Sequence, residues 1–163
     1  HQVLILDGGA ISLYTRLGLS LPPAQLVFTP HQKEWEAMSG LATGDQGEEA
    51  TRQSLSQLPP ASILVQKGPQ TKIWQQGQAD YYQLTVGGPY QATGGMGDTL
   101  AGMIAGFAGQ FPQVGLYERV VVASHLHSAI ADDLSKNAYV VLPTAISREI
   151  PKWMRGICLS NCQ

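Results

Sequence analysis

The sequence has few charged residues, two cysteines and no long hydrophobic run. Only 13% of its 163 residues are charged, the formal net charge is −2, and Lys and Arg form no cluster. Nucleic acids and anionic membranes are therefore not expected partners. No segment reaches the roughly 20 apolar residues that cross a bilayer. Cys158 and Cys162 lie at the C-terminus without a nearby histidine, which supports neither a zinc site nor a disulfide framework and predicts free thiols.

Hydrophobic residues and glycine are abundant instead. The chain is 44% hydrophobic and contains 18 glycines, a composition that argues against disorder and favours one well-buried α/β domain or a domain with an oligomer interface. We expect a homo-oligomer that binds a small molecule and works in the cytoplasm. The sequence begins at His1, without Met and inside a strand-like run, so we interpret it as part of a longer protein.

Short apolar runs alternate with helical patterns in the first half of the chain. Three runs are typical of buried parallel strands, namely Val3–Leu6, Gln25–Phe28 and 62–65. Helical patterns follow at 10–17, Gln32–Ser39 and 46–58. Asp45 is positioned to cap the third of these helices. This order predicts a three-layer α/β/α fold in which the three strands are neighbours in a mostly parallel sheet.

The second half of the chain is largely helical. Two short strands, 72–74 and 81–84, are predicted to form an antiparallel extension of the sheet. Helical patterns follow at 96–109, 117–134 and 145–154. Thr144 is positioned to cap the last helix. His125 and His127 are two residues apart and point to different helix faces, so they cannot form an i, i+4 metal pair and we interpret them as structural.

Glycines concentrate between residues 87 and 97, directly before Asp98 and a long apolar helical pattern. Glycine lets a ligand approach the backbone, and the first N–H groups of a helix lack internal partners, so this junction suits an anion. It is not a Walker A loop, because Met103 stands where that loop requires lysine, and no third glycine completes a dinucleotide fingerprint. Asp98 would accept a proton from a substrate hydroxyl there; the alternative is that Asp98 only stabilises the first helical turn.

Two further candidates follow the predicted parallel strands. His31 comes directly after the second strand and Lys67-Gly68 after the third, at the sheet edge where open α/β folds bind ligands. Each has a simpler interpretation: His31 as a surface residue at a helix start, and Lys67 as a solvated lysine in a turn.

Taken together, these motifs resemble the ribokinase-like superfamily. The order is Asp7-Gly8-Gly9, Thr29-Pro30-His31, 67–71 and then 92–98. Within that superfamily the chain is most similar to the nucleotide-dependent NAD(P)H-hydrate dehydratases of the carbohydrate kinase family, over residues 3 to about 153. The resemblance implies a lyase that uses ADP or ATP, with Mg²⁺ on the phosphates, to dehydrate hydrated NADH or NADPH by phosphorylation and elimination.

The resemblance also implies roles for individual residues. Asp98 would contact the substrate hydroxyl and act as the base, and His31 would hold the hydrated dinucleotide. The nucleotide would be bound by two segments: Lys67, Gly68, Pro69, Gln70 and Thr71, and the anion hole of Gly95, Met96 and Gly97. No protein-only metal site is implied.

Two departures from the family pattern are present. Gly9 replaces the second acidic residue that usually ends the first strand, and members of the family are considerably longer, with an N-terminal part that adds strands and one pocket wall. Two alternatives stay open: a small-molecule kinase of the same fold that acts on a vitamin-precursor or sugar-like alcohol, and a non-catalytic nucleotide-binding fragment. Thr29-Pro30-His31 and 92–95 favour the dehydratase over the kinase.

Overall fold

The apolar runs form one five-stranded sheet in a computed structural model that describes residues 2–160, with side chains to residue 157. The strands are β1 (Val3–Leu6), β2 (Gln25–Phe28), β3 (Ile63–Gln66), β4 (Lys72–Gln75) and β5 (Tyr81–Gln83). They lie side by side in chain order: β1, β2 and β3 are parallel, β4 is antiparallel to β3, and β5 is antiparallel to β4. The predicted sheet and its antiparallel extension are therefore confirmed.

Six helices accompany the sheet. They are α1 (Gly9–Leu17), α2 (Gln32–Ser39), α3 (Glu48–Leu55), α4 (Met96–Gln110), α5 (Leu116–Ser135) and α6 (Pro143–Ser160). Among the residues that the structure describes, none of these helices has the length and apolar character needed to span a membrane. The prediction of free thiols at Cys158 and Cys162 falls on side chains outside the described part of the chain.

The helices cover both faces of the sheet because neighbouring strand residues point in opposite directions. Phe28 and Leu64 pack with residues of α1, α2 and α3, whereas Val27 and Val65 pack with residues of α4, α5 and α6. Both faces are thus buried, as a parallel sheet requires. The three-layer α/β/α fold predicted from the sequence is confirmed.

Two predicted helix caps are wrong. Asp45 ends a separate 3₁₀ turn (Thr43–Asp45), and α3 begins later, at Glu48. The chain before α3 is tied to α2, since Gln46 Nε2 donates to the carbonyls of Gln32 and Leu41. Thr144 lies inside α6, which begins at Pro143. Proline suits the first helical position because the missing N–H has no helical partner there.

Candidate active site

A cavity of about 700 Å³ opens beside the carboxyl ends of β2 and β3. His31 and Lys67 follow those strands and line it, together with the segment 84–92, the first turn of α4 and one face of α5. The cavity thus lies at the sheet edge where open α/β folds bind ligands. Most of its lining is apolar, with a smaller number of polar side chains, which is the usual composition of a small-molecule pocket.

Lys67 is held in place by the first strand. Its Nζ donates to Oδ1 of Asp7 at 2.8 Å, and the same oxygen accepts the Thr29 hydroxyl at 2.7 Å. The side chains of Lys67 and Asp7 are only 20% and 18% exposed. A β-carbon built on Gly97 would lie 3.2 Å from Lys67 Nζ. The ammonium group therefore lies directly over the start of α4.

The start of α4 depends on glycine. Gly95 precedes the helix with φ of 84°, a left-handed conformation that glycine adopts without strain. Gly97 adds no side chain between the first helical turn and the Lys67 ammonium. The unpaired N–H groups of that turn and the positive end of the helix dipole thus face the same space as a cation. This arrangement attracts an anion such as phosphate.

The segment before α4 is fastened to α5. Asp132 Oδ1 accepts the backbone N–H of Gly87 at 2.8 Å and also the hydroxyl of Tyr90. Gln91 Oε1 accepts the N–H of Gly88 at 3.2 Å. Burial, followed by the hydrogen bond to Asp132, raises the pKa of Tyr90, so this phenol stays a hydrogen-bond donor. The cavity wall is therefore fixed from two sides.

His31 caps α2 with its side chain. Its Nδ1 accepts the N–H groups of Lys33 and Glu34 at 3.1 and 3.2 Å, and Glu34 Oε2 accepts the N–H of His31. The ring is 57% exposed and lines the cavity. Because Nδ1 is an acceptor, the neutral ring carries its proton on Nε2, which lies 3.5 Å from Glu34 Oε1. The cap and the ligand position are compatible.

The predicted nucleotide residues are mostly brought together. Lys67, Gly68, Pro69 and Thr71 line the cavity with Met96 and Gly97. Gly68 N–H donates to Thr71 Oγ1 at 3.4 Å, which closes the turn. Of the predicted residues in the described part of the chain, three do not line the cavity: Gln70, Gly95 and Asp98.

Asp98 is exposed in the first turn of α4, directly after Gly97. Its catalytic role and that of His31 stay predictions.

Three cavity residues on α5 were not predicted. Ser124, His127 and Ser128 line the cavity although all three are buried. Burial lowers the pKa of His127 to about 4, and the Met96 backbone opposes this shift only in part. The sequence signal was present, since these polar residues share one face of a largely apolar helix at i, i+3 and i+4 spacing. The structural interpretation of His127 is thus incomplete.

Comparison with known proteins gives one consistent family. The model of the family described as NAD(P)H-hydrate dehydratase matches residues 1–152. An ADP-dependent (S)-NAD(P)H-hydrate dehydratase from Streptococcus pneumoniae is 63% identical over 97% of this chain and 54% of its own length. The enzyme of that name from Staphylococcus aureus is 43% identical over 96% and 55%. The chain therefore spans about half the length of the curated relatives it matches.

Solved structures agree with the sequence relatives. A hypothetical protein from Streptococcus mutans is 53% identical and superposes with a TM-score of 0.89 over 95% of this chain and 55% of that one. A Bacillus subtilis ADP/ATP-dependent NAD(P)H-hydrate dehydratase, co-crystallised with ATP/Mg²⁺, is 28% identical with a TM-score of 0.78 over 94% and 55%. The three-layer fold and the glycine junction agree with the matched family model. The chain therefore belongs to the NAD(P)H-hydrate dehydratase family of ribokinase-like proteins.

Proposed function

We propose that this chain takes part in the nucleotide-dependent dehydration of hydrated NADH and NADPH, which restores the usable cofactors. The observation that carries the proposal is the position of Lys67 over the Gly97 turn at the mouth of the cavity. Identity of 63% to an ADP-dependent dehydratase supports the choice of reaction. The chemistry needs a site that holds nucleotide phosphates beside a proton acceptor, and Asp98 follows Gly97 directly in the sequence.

The phosphates of ADP or ATP would lie between Lys67 and the first turn of α4. A cation and helix N–H groups stabilise the charge that develops on a transferring phosphoryl group. Mg²⁺ fits this environment because it prefers oxygen ligands and is usually bound through substrate phosphates. No group of three or more His, Cys, Asp or Glu side chains in the described part of the chain could hold a metal ion, so Mg²⁺ would be held chiefly by the nucleotide phosphates, whose charge it would neutralise.

Asp98 would act as the general base and His31 as a substrate ligand. The hydroxyl on the hydrated nicotinamide ring would attack the terminal phosphorus of ADP or ATP while Asp98 takes the hydroxyl proton, and the bond from that phosphorus to the bridging oxygen would break to release AMP or ADP. The carbon–oxygen bond would then break with loss of phosphate and a ring proton, which restores the double bond. The His31 side chain is 57% exposed and lines the cavity, so its ring could contact the dinucleotide beside Glu34.

We further propose that the protein is a cytoplasmic homo-oligomer, and the exposed apolar surface supports the oligomer. Leu13 and Leu17 on α1 are 45% and 58% exposed, and Leu142 before α6 is 57% exposed. Burial of such side chains is the usual source of stability in a subunit interface. Light scattering with size-exclusion chromatography on the full-length protein would give the subunit number, and a monomer would contradict this proposal.

The test of the proposed reaction is Asp98→Asn, which keeps the shape of the side chain but removes the proton acceptor. We expect the rate of NADH recovery from hydrated NADH with ADP or ATP to fall about 100- to 10,000-fold. Nucleotide affinity should stay nearly unchanged. The measurement uses the protein at the full length of its relatives, because this chain spans about half of them.

Asp45→Asn is the matched control, because Asp45 is an exposed carboxylate in a turn outside the cavity lining. It should keep the wild-type rate. An Asp98→Asn rate above about a tenth of wild type is too small a loss for a general base and would leave Asp98 as a helix-start residue. Accumulation of a stable phosphorylated product would instead indicate a kinase, and nucleotide binding without turnover in the full-length protein would indicate a binding module.

A further inference from the structure

The buried ring of His127 on α5 contacts both the cavity wall and the first turn of α4. Its Nδ1 lies 3.4 Å from Nε2 of Gln91, which belongs to the wall segment 84–92, and the ring also contacts the backbone of Met96, the first residue of α4. The side chain is only 3% exposed. A polar ring buried this completely needs polar neighbours, and both neighbours of His127 belong to the site.

The hydrogen on the neutral ring is assigned by the contact with Gln91. The N–H of Gly88 donates to Gln91 Oε1 at 3.2 Å, which turns the amide nitrogen of Gln91 toward His127 Nδ1. An amide nitrogen can only donate, so Nδ1 is the acceptor and the hydrogen is on Nε2. Burial holds the pKa of His127 at about 4, so the ring is neutral at physiological pH. His127 therefore has a single N–H to donate, at Nε2.

The carbonyl of Met96 is the acceptor available to this N–H. The Met96 backbone raises the pKa of His127 against the larger effect of burial. A carbonyl has this effect because its oxygen attracts the protonated ring, whereas a backbone N–H would repel it. Nε2 has no partner at standard hydrogen-bond geometry in the described part of the chain. The contact is therefore long in this structure, and hydrogen bonds in active sites often shorten only when the ligand binds.

The Met96 carbonyl belongs to the same peptide unit as the N–H of Gly97. A trans peptide is planar and its C=O and N–H point in opposite directions. A hydrogen bond from α5 to the carbonyl thus directs the N–H away from α5, and it also polarises the peptide so that the N–H becomes a stronger donor. The Gly97 N–H is the group that would contact a phosphate beside the Lys67 ammonium.

We propose that His127 is a positioning residue, which orients the Gly97 N–H toward phosphate by holding the Met96 carbonyl. Gln91 belongs to the same arrangement, because it selects the ring tautomer that donates toward α4. The inference rests on the proposed nucleotide function and adds a residue that acts on the phosphates through one peptide unit. Loss of the ring N–H should therefore weaken phosphate binding and leave the rest of the nucleotide site unchanged.

Calorimetry on the full-length protein tests the proposal with two probes: ADP, and adenosine, which lacks phosphates and is measured by competition with ADP. His127→Phe keeps a buried ring but removes its N–H. ADP affinity should fall about 2- to 12-fold, the range for one net hydrogen bond, while adenosine affinity should stay unchanged. His125→Phe is the matched control, because His125 pairs with the Tyr82 hydroxyl at 3.1 Å and does not line the cavity. It should keep both affinities.

His127→Gln separates the hydrogen bond from the packing of the ring. The glutamine amide can donate to the same carbonyl, so ADP affinity should return close to the wild-type value. Unchanged ADP affinity in His127→Phe would overturn the proposal. Equal losses of ADP and adenosine affinity would also overturn it, and so would a His127→Gln protein that binds ADP as weakly as His127→Phe. In these three cases ADP binding by the wild type leaves the proposed function standing, whereas a wild type that binds neither ADP nor ATP would overturn both.

Discussion

The ammonium of Lys67 lies 2.8 Å from Oδ1 of Asp7, although the two residues are 60 positions apart in the sequence. Asp7 follows β1 and Lys67 follows β3, so the parallel arrangement of the strands brings both side chains to one edge of the sheet. The carboxylate holds the ammonium over the Gly97 turn. A residue without an assigned role in the sequence motif therefore orients the cation of the anion site.

Replacement of Asp7 should destabilise the protein, because Asp7 accepts hydrogen bonds from two other side chains. In Asp7→Ala, Lys67 Nζ and Thr29 Oγ1 both lose an acceptor in a mostly shielded position, and we expect a loss of about 1 to 3 kcal/mol in the free energy of unfolding. Asp7→Asn keeps one acceptor oxygen and should lose less. Urea denaturation at pH 7 measures both. Asp133→Ala is the control: it removes an exposed ion pair with Lys136 and should have no measurable effect on stability. Equal losses in Asp7→Ala and Asp7→Asn would show that the acceptor oxygen of Asp7 is unimportant for stability.

A side chain at position 97 should block the anion site. The β-carbon of Gly97→Val would stand 3.2 Å from Lys67 Nζ, in the space between the cation and the helix start. We expect ADP and ATP affinity to fall roughly tenfold or more, because charge-assisted contacts to phosphate are lost. Calorimetry on the full-length protein measures the loss. Gly102→Val is the matched control, because it lies on the same helix with no atom beyond the adjacent backbone of that helix within 4 Å of its β-carbon, and it should keep the wild-type affinity. Unchanged affinity in Gly97→Val would place the phosphates elsewhere.

His127 should make stability depend on pH in a defined window. Its pKa is about 4 in the folded protein and 6.5 in the unfolded chain, so the unfolded chain takes up a proton first as the pH falls. Stability from this residue is therefore complete above pH 6.5, decreases between pH 6.5 and 4, and changes no further below pH 4. The full loss is about 3 kcal/mol.

Urea denaturation of wild type and His127→Phe at pH 7.5 and 4.5 isolates this contribution. Carboxylates titrate in both proteins, so their effect cancels in the comparison. The variant should lose less stability on acidification, by about 2 to 3 kcal/mol. Equal losses in the two proteins would mean that His127 is protonated in the folded state.

Gly95→Ala should destabilise the start of α4. Gly95 has φ of 84°, and its β-carbon would lie 3.4 Å from the ring of Pro143. A left-handed conformation is strained for alanine, so we expect a loss of about 1 to 2 kcal/mol. Thermal or urea unfolding measures it. Gly94→Ala is the control, because the neighbouring Gly94 has an ordinary φ and open space around its β-carbon. A loss of similar size in Gly94→Ala would show that the left-handed φ of Gly95 is not the cause of the destabilisation.

Local patterns in the sequence determined most of the secondary structure. The apolar runs Val3–Leu6 and Gln25–Phe28 became strands with the predicted bounds, because continuous apolar residues in short runs are buried from both sides. Helix α2 ends before Gly40, which takes the left-handed conformation expected at a helix C-terminus. The caps at Asp45 and Thr144 were wrong, because contacts distant in the sequence and the preceding Pro143 decide where those helices begin.

The sequence also indicated most of the segments that line the cavity. The glycine-rich helix start indicated an anion site, and the resemblance to the family implied nucleotide binding by residues 67–71 and Gly97, most of which line the cavity. Tertiary structure decided how these segments meet. The pairing of Asp7 with Lys67 depends on strand order, and a contact across 60 positions leaves no local pattern from which it could be read. The polar face of α5 was visible in the sequence, but its burial against the cavity depends on how α5 packs.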